Sequence, residues 1–245
     1  MKISVTGGGG AKIEARIAAH VHAWEALKQL YPSRYECLPF ITISREFGCE
    51  GRLLAERLVE ILNERCRPQV PWVPYHREVV DRVAQELHLA RSVVESLDGQ
   101  RRDEMSELFN AILNVKVDEA LIFRKMAEVI RSLAAHGNAV LVGRGSYLIT
   151  QDLKTGLHVR LVAPRAWRVA RLAIDHQLPN REAERLVLEG ERERARFHAT
   201  FFVQSPDHPF HHDLIIDNSR FNLAQVAEIV FAALSARFGE ILVGD

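Results

Sequence analysis

The chain has 245 residues, 47% of them hydrophobic and 26% charged, with 32 Lys and Arg balanced by 32 Asp and Glu. Zero formal net charge excludes the strongly basic footprint of a nucleic-acid or membrane-surface binder, and no apolar run reaches the roughly 20 residues that a membrane span requires. Cys37, Cys49 and Cys66 are too few and too irregularly spaced for a disulfide framework or a zinc site, and the opening MKISVTGGGG lacks the apolar stretch of a secretory leader, so a cytoplasmic protein is expected, with neither nucleic-acid nor membrane partners.

The length suits one domain with an appendage. The basic residues are 26 Arg and only six Lys. Arginine's planar fork suits bidentate phosphate binding, although ordinary surface pairing uses the same residue.

In chain order, Ile13, Ile17, Val21, Trp24 and Leu27 recur at helical spacing, and Tyr31-Pro32-Ser33 ends that pattern. Residues 1–39 are accordingly read as an N-terminal helical extension and 40–245 as the main domain. Phe40-Ile41-Thr42-Ile43 is a short apolar strand, followed by a glycine-containing turn and a helix through Leu53, Leu54, Leu58, Ile61 and Leu62. Val70 to Tyr75 predicts a short strand weakened by Pro71 and Pro74. Glu78 to Leu89 predicts a helix, and Asp103 to Ala135 a long helical stretch stopped by His136-Gly137. Ala139 to Val142 is a buried strand opening into Gly143-Arg144-Gly145, and His158 to Val162 is another, with Pro164 near the start of the next helix. Arg181 to Phe202 is a charged, largely helical segment, Asp213 to Asp217 a last strand, and Leu223 to Phe238 a closing amphipathic helix. About five short apolar strands alternating with helices predict an α/β domain with a parallel sheet covered on both faces.

In such a sheet, ligands sit at the carboxyl ends of the strands. The first turn there is Ser44, Arg45, Glu46, Phe47, Gly48, Cys49, Glu50, Gly51 and Arg52, running from strand into helix. Its backbone N–H groups and the helix dipole predict an anion site, and its glycines permit a tight turn. The P-loop pattern G-x-x-x-x-G-K-[ST] is incomplete, because Gly51, Arg52 and Leu53 stand where lysine and hydroxyl are required. Thr6 to Lys12 imitates part of that pattern but reads as a tail. Gly143-Arg144-Gly145 places one guanidinium at the ligand edge or in solvent. Arg165, Arg168, Arg171, Arg185, Arg192, Arg194 and Arg196 could clamp a polyphosphate; interleaved Glu182, Glu184, Glu189, Glu191 and Glu193 equally suit a salt-bridged solvated helix. The His208–Asp213 run lacks metal-site spacing, so no metal ligands are assigned, and no Ser-His-Asp arrangement is found.

Several stretches together resemble the cytidylate kinase-like family. They are Ile41 to Arg52 (similar to an ITISREFGSGG-type loop), Tyr75-His76-Arg77-Glu78-Val79-Val80, Gly137 to Gly145, His158 to Pro164 with Arg168 and Arg171 following, Glu191 to Phe197, and Asp213 to Asp217. They span roughly residues 40–235. The resemblance implies a P-loop nucleoside monophosphate kinase fold with a helical monophosphate-binding region and an arginine-bearing lid. It implies ATP as donor with Mg²⁺ and a CMP-like acceptor. The Ser44–Arg52 loop would hold the donor's β-phosphate, Arg77 and Arg144 the acceptor phosphate, and Arg168, Arg171 and Arg194 the transferring group, with Arg52 in place of the P-loop lysine. Departures from the pattern are the missing lysine and hydroxyl, His212 where the family has tyrosine, and Glu191 where Asp is more usual. A nucleotide-sensing or regulatory protein with the kinase fold is the alternative they leave open. The N-terminal helix is a candidate surface for a homodimer.

Overall fold

In this computed structural model, the described residues are 38–76, 117–202 and 208–242, with three isolated helical positions at 19, 23 and 26. Apart from those three positions the N-terminal helix lies outside them, as do the helix expected over 78–89 and the 103–116 portion of the long helix.

The described chain runs β1 (Phe40–Arg45), α1 (Gly51–Cys66), β2 (Val73–Tyr75), α2 (Val117–His136), β3 (Ala139–Val142), the short α3 (Ser146–Ile149), β4 (Gly156–Val162), α4 (Arg165–His176), α5 (Asn180–Phe201), β5 (Leu214–Asp217) and α6 (Leu223–Leu242). The five strands form one sheet of order β2-β3-β1-β4-β5, and every pairing is parallel. β1 is central, with Ile43 beside Val142 on one flank and beside Val159 on the other. The expected alternation of strands and helices therefore closes into the expected parallel sheet. Among the described residues β2 is an edge strand, shorter than the sequence suggests, and an edge strand tolerates the missing N–H of Pro74.

Strand periodicity divides the core in two. Ile41 and Ile43 of β1, Val140 and Val142 of β3, and Leu157, Val159 and Leu161 of β4 pack with Leu54, Leu58, Ile61 and Leu62 of α1 and Val226, Val230 and Leu234 of α6. Phe40, Tyr75, Ala139 and Leu141 point to the other face, against Phe123, Val129, Ile130 and Leu133 of α2. Full burial of one such side chain contributes about 1.5–3 kcal/mol, so these two layers dominate the stability of the domain. The second face is also covered by Phe197, Phe201 and Phe202 at the end of α5, where the Phe123 and Phe201 rings stack at 4.4 Å.

α2 stops at His136, as the His136-Gly137 signal predicts. Gly137 has φ +74°, and a Cβ there would overlap the Leu38 backbone. α6 continues past the expected end to Leu242, with non-helical geometry at Phe238.

Candidate functional site

The same alternation that builds the core lays a polar row on one face at the sheet centre. On β1 the residues facing away from α1 include Thr42 and Ser44; on β4 they are His158 and Arg160. Thr42 Oγ1 and His158 Nδ1 are 2.8 Å apart, and Ser44 Oγ and His212 Nε2 likewise 2.8 Å. Burial holds the His158 ring below the usual histidine range. Burial, together with Arg160, His158 and His211 nearby, pushes His212 down to about 3, so both rings are neutral. This row leads to the carboxyl ends of β1 and β3. There a cleft of about 520 Å³ opens between Ser44, Arg45 and Phe47, the Gly143-Arg144-Gly145 turn with Tyr147, Arg160 of β4, and one side of α5.

α5 presents Gly190, Arg194, Phe197 and Phe201 to the cleft, a stripe at i, i+4, i+7 and i+11. Gly190 is required because the Phe47 ring lies where any Cβ would project. Arg194 stacks over that ring at 5.2 Å and its Nη1 donates to the Arg45 carbonyl at 2.7 Å. Arg144, at φ +55°, places its guanidinium over Phe197 at 5.4 Å. Gly143, at φ +81°, leaves room for the Arg45 guanidinium. The lining thus includes five arginines, Arg45, Arg144, Arg160, Arg194 and Arg196, against one acidic residue, Glu193. Planar forks of this kind recognise phosphate or carboxylate oxygens two at a time.

The loop between β1 and α1 is pinned from behind. Arg168, buried in α4, donates from Nη1 to the Phe47 carbonyl at 2.9 Å and to Glu191 at 2.8 Å, and from Nε to the Ala163 carbonyl at 2.9 Å. Glu46 accepts from the Ala163 amide at 3.0 Å and lies 3.4 Å from Arg168. Gly48, at φ +92°, lets the loop pass against Arg168, whose Cβ would be 2.9 Å from a Cβ at this position. Arg171 binds Glu50 at 2.7 Å. The Cys49 thiol is pushed up to about 12, chiefly by burial and then by the Glu46 charge, so it is a packed thiol and not a nucleophile.

Of the residues expected to form the site, the structure brings Ser44, Arg45, Phe47, Arg144 and Arg194 to the cleft. Arg52 is not brought there: its side chain is 67% exposed on the outer face of α1 and sits 3.9 Å from Glu56. The reason is helical phase, since Leu54, Leu58 and Ile61 turn inward and carry Arg52 outward. Arg168 and Arg171 hold the loop instead of lining the cleft. Glu46, Gly48, Cys49, Glu50 and Gly51 form its turn, and Arg77 lies outside the described residues. Arg196, one of the arginines of the charged segment, also reaches the cleft, and Arg160, Tyr147 and His198 join it without having been singled out from the sequence.

For Mg²⁺, which a kinase fold implies, the described residues offer scattered carboxylates and no preformed cage of protein ligands. Among the described residues no group of His, Cys, Asp and Glu is arranged to hold a metal ion. Of the oxygen donors around the loop and the cleft, Ser44 is bonded to His212, Glu46 to the Ala163 amide and Glu50 to Arg171, and the carboxylate that lines the cleft itself is Glu193. No helix among the described residues is long and apolar enough to cross a membrane.

A five-stranded parallel sheet with a loop-to-helix turn after its central strand, covered at that edge by an arginine-bearing helix, defines a P-loop-kinase-like α/β protein. The chain belongs to the cytidylate kinase-like family, whose model matches residues 40–220. No curated protein matches it. A crystal structure of an uncharacterized protein from Eubacterium ventriosum superposes with a TM-score of 0.62 at 19% identity, covering 81% of this chain and 98% of that one. A shikimate kinase from Bacteroides thetaiotaomicron matches with a TM-score of 0.43 at 16% identity, over 81% of this chain and 97% of its own. A shikimate kinase from Acinetobacter baumannii, in complex with shikimate, matches with a TM-score of 0.42 at 13% identity, over 83% and 97%.

Proposed function

We propose that this chain is a nucleotide-binding phosphotransferase that passes the γ-phosphate of ATP to a nucleoside monophosphate of the CMP kind, acting in the cytoplasm. The observation that carries the reading is the cleft at the carboxyl ends of β1 and β3, where five arginines face one carboxylate. Phosphoryl transfer needs little covalent help from a protein; holding the two phosphates in line and balancing their charge accounts for most of the acceleration. Guanidinium groups from four separate elements, β1, the turn after β3, β4 and α5, supply both. Tyr147, Phe197 and Phe201 give the same cleft an apolar wall against which a base can lie. In this reading Arg144, with Arg77 from outside the described residues, takes the acceptor phosphate, and Arg194 the transferring group. The N-terminal extension is a candidate surface for a homodimer.

A second reading, nucleotide binding without transfer, is favoured by one specific observation. The residue that should replace the P-loop lysine, Arg52, faces solvent beside Glu56. Loss of that charge removes transition-state stabilisation of several kcal/mol unless another group supplies it.

Calorimetric titration of ATP and CMP into the full chain, with ADP formation followed in parallel, separates the two. Binding and turnover that both fall in Arg144→Ala support the kinase. Binding with no turnover moves the assignment to a nucleotide sensor. Absence of binding at millimolar nucleotide removes both.

A further inference from the structure

The start of a helix after the first strand is where this fold is expected to receive a phosphate. In this chain the protein occupies that place itself. The Glu50 amide donates to the side-chain carbonyl of Asn218 at 3.1 Å, the Cys49 amide to the Glu46 carbonyl at 3.2 Å, and the Gly51 amide to the Cys49 carbonyl at 2.9 Å. Asn218 is 2% exposed and its own amide is tied to Val162 at 2.8 Å, so its side chain is anchored where it accepts. Glu50, the N-cap residue, adds a carboxylate whose side chain is only 11% exposed, kept there by Arg171. A negative charge at a helix start complements the helix dipole, and the same charge repels an incoming phosphate.

The positive charge lies elsewhere. Arg45, Arg144, Arg160 and Arg194 reach the cleft from four different elements on the other side of the loop. Arg194 is fastened to the end of β1 through the Arg45 carbonyl at 2.7 Å and lies over the Phe47 ring of the loop at 5.2 Å.

We infer that the phosphates of the ligand bind in this arginine cleft without a divalent cation, and that the start of α1 is a closed structural joint. The ligand class is a polyphosphate chain; that it belongs to a nucleotide rests on the function proposed above. The guanidinium groups of five arginines, set against the single carboxylate Glu193, take the charge-balancing role that a lysine and a metal ion have at a helix start. Each guanidinium contact to a phosphate is a charge-assisted hydrogen bond, so loss of one weakens binding by about tenfold or more.

The test is a calorimetric titration of inorganic tripolyphosphate and of ATP into the full chain, each in EDTA and in MgCl₂. It compares wild type with Arg160→Ala, Arg160→Lys and Asn218→Ala, each checked for folding by circular dichroism. Both ligands should bind in EDTA at least as tightly as with Mg²⁺. Arg160→Ala should weaken both by about tenfold or more, and Arg160→Lys by less, because it keeps the charge without the fork. Asn218→Ala, which releases the Glu50 amide, should leave the dissociation constants within about twofold of wild type. Binding that requires Mg²⁺, or that tightens in Asn218→Ala while ignoring Arg160, overturns the inference and leaves nucleotide binding intact. Tripolyphosphate binding without ATP binding upholds the anion site and removes the nucleotide reading. If neither ligand binds, both fall.

Discussion

Arg168 is the residue on which the shape of the β1–α1 loop depends most, and Arg168→Met tests it with little change in side-chain bulk. The residue is 4% exposed and its guanidinium joins the Phe47 and Ala163 carbonyls to Glu191, with Glu46 alongside. Truncation leaves two carbonyls without their donor, at about 1–3 kcal/mol each where water cannot replace it. Removal of one partner of a fully buried ion pair costs about 3–5 kcal/mol. Here Glu46 and Glu191 are 31% and 29% exposed, so they rehydrate and the electrostatic part falls to the low end. The expected total is about 3 kcal/mol, which for a domain of this size lowers Tm by roughly 6–12 °C. Urea denaturation of Arg168→Met, Glu191→Gln and the double variant measures it. The pair should show a coupling energy near 1 kcal/mol, with Glu191→Gln almost silent once Arg168 is gone. A loss below about 1 kcal/mol in Arg168→Met, with additive single variants, would refute the claim that this cluster fixes the loop.

Three further outcomes follow from the same geometry. Gly190→Ala drives a methyl group into the Phe47 ring, so it should destabilise the chain by about 1–3 kcal/mol and weaken nucleotide binding; a variant with wild-type stability and affinity would show that α5 and the loop are not in contact. His212, pushed down to about 3 in the folded chain, binds its proton first in the unfolded chain as pH drops through 6.5, so stability rises with pH between these values and falls on acidification. The full slope of about 1.4 kcal/mol per pH unit is discounted to about 1 because the ring is partly solvated, and His212→Tyr should flatten stability measured between pH 6 and pH 4.5, an unchanged slope counting against the ring. Cys49, with a pKa of about 12, exposes under one thiolate in about a thousand at pH 8.5; iodoacetamide labelling read by peptide mass spectrometry should spare it in the folded chain, and labelling as fast as in urea would contradict its burial.

The strands and their order of appearance are legible because each is a short apolar run bounded by turn residues, and a parallel sheet buried on both faces leaves little else for such runs to do. Arg160 was legible too, by a rule that counting runs does not apply. In His158-Val159-Arg160-Leu161 the period of two puts His158 and Arg160 on the face opposite Val159 and Leu161, together with Thr42 and Ser44 one strand away. The stripe Gly190, Arg194, Phe197, Phe201 is likewise present in the sequence. Which face of a heavily charged helix meets the sheet is decided by the Phe47–Gly190 contact, a long-range fit that local spacing does not contain. The separation of Arg168 from Arg194 was beyond reach for the same reason: both are lid-side arginines by resemblance, and only packing makes one a buried strut and the other a cleft residue.

The placement of Arg52 has a wider consequence. A lysine at the first turn of α1 would belong to the same rigid strand–loop–helix unit as the loop it serves, so its charge would be present whenever that unit is folded. In this chain the charge comes from Arg45 on β1, Arg144 after β3, Arg160 on β4, and Arg194 and Arg196 on α5. The sheet holds the first three at one edge, whereas Arg194 and Arg196 join them only while α5 is docked, and docking rests on Phe47 against Gly190, Arg194 on the Arg45 carbonyl and Arg168 on Glu191. On the reading proposed above, a complete anion site therefore requires α5 in place, whereas a lysine-bearing loop would keep its charge without it. Ligand affinity in this chain must include the free energy of α5 docking, because a site that is only fractionally assembled binds more weakly by that fraction. A polyphosphate that bridges the four elements returns that free energy as stability, so saturating tripolyphosphate at about a hundred times its dissociation constant should stabilise the chain by about 2.7 kcal/mol, with the protection from hydrogen exchange concentrated in residues 180–201. Protection spread evenly over the sheet and absent from α5 would separate the site from the lid and break the argument.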